Sequence, residues 1–438
     1  MHKTQQLEIE YITNRNNQYL KYLKEYSDFY FLHVRPLIKK VNFKQNKEIN
    51  FKIKNKKINL KTYSSELLLN GKFGVAKATA YLAEHEENIF LLTGDGIFLK
   101  ININDLNSSN IISERVPSNI TDIIVFPSIY SKWAKIISED DIFGNVLYQP
   151  SYQAHGVKDL FIDHDMLYFS YSNKQENDCF NTSFLKAKMN YDFINIEKFF
   201  EPDHCVKLSN AQQGGRIDKY DKDKFIFSIG DWRIFEDRNK QFNIQNDDNI
   251  FGKIVLYDKN SKNLKILAKG LRNPQGLYYD KIDNRLLITD HGPKGGDEVN
   301  DLEIDIDGPP INFGWPIASY GTHYTKSDNR SFKSHEGFKE PIKYFSKSPA
   351  VSQIIKIPNS FINSNAKSFF LVTMGDNIDE GDMSIHYFEM DYSENKILNH
   401  EVFPVKERIR DIIYVEKKNM FLLFLDSTAS IGILKLSD

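Results

Sequence analysis

The side chains best suited to chemistry gather between residues 271 and 321, with a second set near the C-terminus. LRNPQG places Arg272, Asn273 and Gln275 on one tight turn that Gly276 permits. An arginine fork beside two amides suits an anionic ligand. The plainer reading is a turn whose amides satisfy loop backbone. ITDHGPKGGDEVN follows. Its acidic pair, Asp297 and Glu298, would hold a hard cation or stand in solvent. His291 precedes the first glycine of that loop, and a lone histidine is more often structural than functional. In ERIRD, Arg408 and Arg410 alternate on one strand face. Two like charges so placed call for an anionic partner, or else they flank the strand in solvent.

Each of these clusters sits where a strand should end, so rigid strands would carry reactive loops on one face. The strands are legible as short apolar runs with turn signals. IFLLT, GDG and IFLKI at 89–101 make a hairpin with a glycine turn. LYFSYS, KFIFSIGD, KIVLYD with LKILAKG, RLLITDHG, FFLVTMGD and IHYFEMD continue the series, and RDIIYVEKKNMFLLFLDSTASIGILKL closes it. Long helical periodicity is absent from about residue 74 onward. Four-strand units at irregular spacing predict an all-β fold, a β-propeller with long functional loops. Residues 1–57 differ. Leu20, Leu23 and Phe31 recur at helical spacing and Pro36 should end that helix. EINFKIKNKKINLKTYSSELLL then alternates like a strand, and 58–67 is the candidate to close the propeller against the last blade. We therefore divide the chain into an N-terminal extension, 1–57, and a propeller, 58–438. The preceding helix would cap the propeller or serve as a membrane-proximal stalk.

The chain has 438 residues, 41% hydrophobic and 26% charged, enough for a large packed core. A net charge of −2 gives no electrostatic case for nucleic acid. No apolar run approaches the roughly 18–20 residues of a membrane span. MHKTQQLEIEY does not read as a secretory signal. Cys179 and Cys205 flank one predicted hairpin, either as two separate thiols or as a disulfide between neighbouring loops. The disulfide would imply an oxidising compartment. A periplasmic or extracellular location, with a leader or anchor absent from this sequence, is expected, and the cytoplasm is the alternative.

From about residue 58 onward the chain resembles the glucose/sorbosone dehydrogenase family, the soluble PQQ-dependent aldose sugar dehydrogenases. The likeness is densest over 251–352, in FGKIVLYD, GLRNPQGL, DHGPKGGDEVN, INFGWPIASYG and EPIKYFSKSPAVS, and resumes at ERIRD. GVKDLFIDHDMLYFSYS and GGRI are weaker matches. The resemblance implies a six-bladed propeller, a quinoprotein holding PQQ and Ca2+ on one face. It implies cofactor contacts from Arg272, Asn273, Gln275, Arg408 and Arg410, and calcium ligation by the carbonyls of Gly292 and Pro293. Asp297 and Glu298 would serve a second, structural calcium. His291 would face the substrate. Trp315 of NFGWP is expected to pack between blades, with Gly314 allowing close backbone approach.

The pattern breaks at two places. The family's base is a histidine four residues before the arginine of the GGR motif, and that position here is Gln212. An amide does not usefully accept a proton near pH 7, and losing a positioned base costs about 10²–10⁴-fold in rate. His155 and His291 are candidate substitutes. A lysine of the family that contacts PQQ is replaced by Asp376 in GDNIDEGD, an acidic run that reads as a solvated loop or a cation site. The resemblance implies a PQQ- and calcium-dependent aldose dehydrogenase that passes electrons from a sugar or related alcohol to an external acceptor. The alternative is a non-catalytic propeller that binds calcium, a glycan or a protein partner. A metal-dependent hydrolase lacks a converging ligand set.

Overall fold

The computed structural model describes residues 39–65, 68, 79–124, 156–175, 179–207, 212–234, 242–323, 334–375 and 377–437. The expected N-terminal helix, His155 and Asp376 lie outside these residues. Nearly every element is an antiparallel strand, and among the described residues the strands form six four-stranded units. Blade I is Ala80–His85, Asn88–Thr93, Phe98–Asn102 and Asn110–Val116. Blade II is Val157–Asp163, Met166–Gln175, Cys179–Lys188 and Ile196–Phe200. Blade III is Gly214–Lys219, Lys224–Ile229, Lys253–Asp258 and Leu264–Lys269. Blade IV is Pro274–Asp280, Arg285–Asp290, Asp297–Glu303 and Lys343–Phe345. Blade V is Val351–Lys356, Lys367–Thr373, Ser384–Asp391 and Lys396–Pro404. Blade VI is Ile409–Val415, Met420–Leu425 and Ser430–Leu436, completed by Lys56–Ser64 from the N-terminal side. The first strands touch in a closed cycle, each against the next and the last against the first. That is a propeller with its axis along the first strands.

The strand sequences follow from this packing. Middle strands are covered on both faces by neighbouring blades, so they read as unbroken apolar runs. Met420–Leu425, MFLLFL, is buried at every position. The outermost strand of blade V, KILNHEVFP, instead alternates in exposure. The cores lie between blades. Phe184 of blade II stacks on Phe227 of blade III, with ring centroids 3.8 Å apart. Burial of such rings is the main stabilising term of the fold.

The closing strand pairs as the sequence predicts, with Ile58 opposite Leu436 and Ser64 opposite Ser430. The stretch read as one alternating strand is a hairpin. Lys54 takes a left-handed φ of 53° beside Asn55, and the chain folds back there. Its first arm, Lys40–Ile53, pairs with Lys56–Ser64 and with Asn110–Val116 of blade I. The strand Lys40–Ile53 therefore joins blades VI and I into one nine-stranded sheet. Cys179 and Cys205 are disulfide-bonded, with Cα atoms 5.4 Å apart. Pairing of Val206 with Phe180 brings them together.

Candidate functional site

The site lies where first strands begin and second strands end, the same end of every blade. A register irregularity occurs at this level in the first strands of blades II to VI. The residues left out of pairing are Lys158, Gly215 with Arg216, Gln275, Ser352 with Gln353, and Arg410. A bulge re-aims a side chain. Here five bulges at one height present polar groups around the axis. Gly276 shows how tight the arrangement is, because a Cβ there would stand 2.4 Å from the carbonyl oxygen of Ser352.

Arg216 marks the axis itself. Its Nη1 donates to Asp159 Oδ1 and Asp411 Oδ1, both at 2.8 Å, and Nη2 donates to the Arg410 carbonyl. Its Nε donates to the Gln275 carbonyl at 2.7 Å. Those acceptors come from blades II, VI and IV, and the guanidinium also lies over the Tyr81 ring of blade I. The two aspartates in turn accept from backbone amides, Asp159 from Ile217 and Asp411 from Leu82. One fully desolvated cation thus ties five blades together.

Around this core the expected ligand residues lie at one end of the blades. Gln275 Nε2 donates to Asn273 Oδ1 at 2.9 Å, and Gln275 Oε1 lies 3.4 Å from Arg410 Nη1. The backbone amides of Arg272 and Asn273 donate to the two oxygens of Asp290, which fixes the turn. Burial, and secondarily the nearby Glu298 charge, push the Asp290 carboxyl well above the usual range. Arg272 Nη1 donates to the carbonyls of His291 and Gly292 at 3.0 and 2.9 Å. Arg408 donates to the Met374 carbonyl. Asn273, Gln275, His291 and Arg408 keep partial exposure, whereas Arg272 and Arg410 are buried.

Gln212 sits in this network rather than beside it. Its amide donates to Asp231 Oδ1 at 2.6 Å and accepts from Arg272 Nη2 at 2.5 Å. Its backbone is left-handed, φ 60°, held where its carbonyl accepts from the Trp232 amide. Asp231 also accepts from Trp315 Nε1 at 2.8 Å, and the Arg272 guanidinium lies over the Trp315 ring. Trp315 is buried as expected, but its indole also helps set the site's electrostatics. His291 presents an Nε2 that is buried and has no partner among the described residues. Burial, and more weakly the nearby arginines, hold this imidazole below its usual pKa, although the Asp297 charge and the Val351 carbonyl oppose the shift.

The remaining expected residues are placed as follows. The Gly292 carbonyl is held by the Arg272 guanidinium, and the Pro293 carbonyl accepts from the Gly296 amide and the Ser348 hydroxyl. A calcium ion on this pair would face a like charge at close range, so the loop as folded does not fit one. Asp297 accepts from the Val351 amide. Glu298 bonds His335 at 2.9 Å and Asn300 at 3.1 Å. Among the described residues, the group of three metal-ligating side chains close enough to share an ion is His85, Glu86 and Asp165, at the far end of blades I and II. Arg410 also differs from expectation. Its anionic partner is internal, Asp426, which accepts from Nη2 at 2.8 Å. Asp231, Asp411, Asp426 and Lys158 went unnoticed in the sequence. The bulge positions that align them depend on pairing with distant strands.

Comparison with known proteins agrees with this architecture. A segment of 162 residues is 30% identical to the aldose sugar dehydrogenase YliI of Escherichia coli K12, covering 33% of this chain and 41% of that protein. The chain thus spans less than half of that relative's length. A crystal structure of glucose dehydrogenase superposes with a TM-score of 0.61 at 18% identity, over 82% of this chain and 96% of that one. The apo form of the soluble aldose sugar dehydrogenase of Escherichia coli gives 0.58 at 18% identity, with the same coverage. These two likenesses show the fold. Residues 154–433 match the Glucose / Sorbosone dehydrogenase family model. With the motifs, the propeller and this match in agreement, the chain belongs to the glucose/sorbosone dehydrogenase family.

Proposed function

We propose that the protein binds PQQ at the mouth of the axis and oxidises a hydroxyl of an aldose or related alcohol. The observation that carries this reading is the set of partly exposed donors, Asn273, Gln275 and Arg408, backed by buried Arg272 and Arg410. Its chemistry suits a planar ligand rich in carbonyls and carboxylates. The unpartnered His291 Nε2 at the same mouth is a further sign of a missing polar partner. PQQ, when bound, accepts the hydride and passes electrons to an external acceptor.

The chain's own residues do the rest. Asn273, Gln275 and Arg408 orient the ligand. Gln212 clamps Arg272 against Asp231 and takes no proton. His291, neutral near pH 7 because burial lowers its pKa, takes the hydroxyl proton at Nε2. Calcium at Gly292 and Pro293 has no part in this reading. The disulfide supports an oxidising location, periplasmic or extracellular.

Reconstitution with PQQ followed by a sugar-dependent dye-reduction assay tests it. Sugar-dependent reduction is expected, falling about 10²–10⁴-fold in His291→Ala. A PQQ-loaded protein that reduces no dye with any aldose would sink the catalytic reading. It would leave a second one, a non-catalytic binding propeller, which is favoured by the hydrogen bonds that Arg272 makes to Gln212 and to the Gly292 carbonyl.

A further inference from the structure

On the face of the propeller away from the candidate site, the turns that join first to second strands bring three metal-ligating side chains together. His85 ends the first strand of blade I and pairs with Asn88, so Glu86 lies in a tight turn between them. Asp165 lies in the matching turn of blade II, between paired Asp163 and Met166. One ligand atom from each of His85, Glu86 and Asp165 lies within 4.8 Å of the other two. Both turns are held. Glu86 takes a left-handed φ of 54° and its carbonyl accepts from Lys417 Nζ at 3.1 Å. The Asp165 carbonyl accepts from the Met189 amide.

The imidazole is oriented as a ligand. His85 is buried, whereas both carboxylates are exposed. The Tyr191 hydroxyl donates to Glu86 Oε2 at 3.0 Å, so its oxygen accepts from His85 Nδ1 at 2.7 Å. That relay puts the proton of the neutral ring on Nδ1 and turns the Nε2 lone pair toward Asp165 Oδ1, 3.4 Å away. Two acceptors so placed repel unless a proton or a cation lies between them. The separation is long for a charge-assisted hydrogen bond. It matches the edge between two ligands of a tetrahedral ion, roughly 3.3–3.4 Å for bonds of about 2.0–2.1 Å.

We infer that His85 Nε2, Glu86 and Asp165 form a binding site for a zinc-class divalent cation, which ties blade I to blade II. One imidazole and two carboxylates, with water as the fourth ligand, suit Zn2+. Ca2+ would ask for six to eight oxygens. The exposed carboxylates leave the ion open access, and Tyr191 is the positioning residue that holds the ring. This site is independent of the cofactor reading and stands or falls without PQQ. The competing arrangement is a protonated His85 paired with Asp165 and no metal.

The test is calorimetric titration of zinc chloride into the chelator-stripped full chain at pH 7.5. One ion per chain is expected, bound about 10-fold or more weakly by Glu86→Gln and by Asp165→Asn. Both substitutions are at exposed positions, so folding is not at stake. Tyr191→Phe keeps the ring but removes the relay, and should weaken binding by about 10- to 100-fold. Zinc should also raise the melting temperature of wild type and not that of the Glu86→Gln/Asp165→Asn double variant. No zinc binding by wild type overturns the inference and leaves the ion pair. Binding that the carboxylate variants do not weaken places the ion on other groups and overturns it equally. Bound zinc that leaves the wild-type melting temperature unchanged overturns the tie between blades.

Discussion

At the scale of single residues, the position that decides most is Gln212. It links Asp231 to Arg272 by two short hydrogen bonds, from a left-handed backbone that few side chains adopt freely. A histidine in its place would hold one of those partners and present a basic nitrogen at the mouth of the site. Because His291 is the base in the reading above, Gln212→His in a His291→Ala background is expected to recover PQQ-supported sugar oxidation by about 10²-fold or more. Steady-state dye reduction, compared at equal PQQ occupancy, checks this. An unchanged or lower rate would mean that proton transfer at this position is not what limits turnover.

At the scale of elements, the bulged first strands and the second-to-third-strand loops carry the polar groups of the candidate site, while the outer strands carry stability. Blade V holds a device of the second kind. His386 Nδ1 and His400 Nε2 are 2.9 Å apart on neighbouring strands, packed against Phe345 and Phe388. Burial is the larger cause holding both imidazoles down to about 4. The unfolded chain begins to bind protons at these residues below a pH of about 6.5, while the folded chain does not. Their contribution is fully present above that pH and is lost as pH falls toward 4. His400→Leu should flatten the fall of melting temperature across this window. A profile parallel to wild type would show that acid sensitivity arises elsewhere.

At the scale of the whole molecule, Arg216 joins five blades through one guanidinium. Removing it leaves Asp159 and Asp411 buried and facing each other without a cation. Breaking a buried pair in this way costs about 3–5 kcal/mol. Arg216→Met should lower the denaturant midpoint accordingly, and Arg216→Lys should rescue little, since an ammonium cannot reproduce the planar fork. A midpoint within experimental error of wild type for Arg216→Met would show that the ring is held by blade packing alone.

Much of this protein was determined by sequence that acts locally. Apolar runs such as MFLLFL and turns such as GDG set the strands, because pairing period and turn chemistry are short-range properties. The closing strand near 58–64 was legible for the same reason, and so were RNPQG and RIRD as polar clusters at strand ends. The hairpin turn at Lys54 was missed because polar, charged residues run through it without a glycine. Tertiary structure alone decided the partners. The anion beside Arg410 is Asp426, the guanidinium on the Gly292 carbonyl belongs to Arg272, and Lys158 lies flat against Gly215. Cys179 meets Cys205 only through pairing between non-adjacent strands. Each of these contacts joins residues separated in sequence that approach only when strands pair within a blade or, for Lys158 and Gly215, when blades II and III pack together. The energy of a buried charge depends on what that packing brings within a few ångströms.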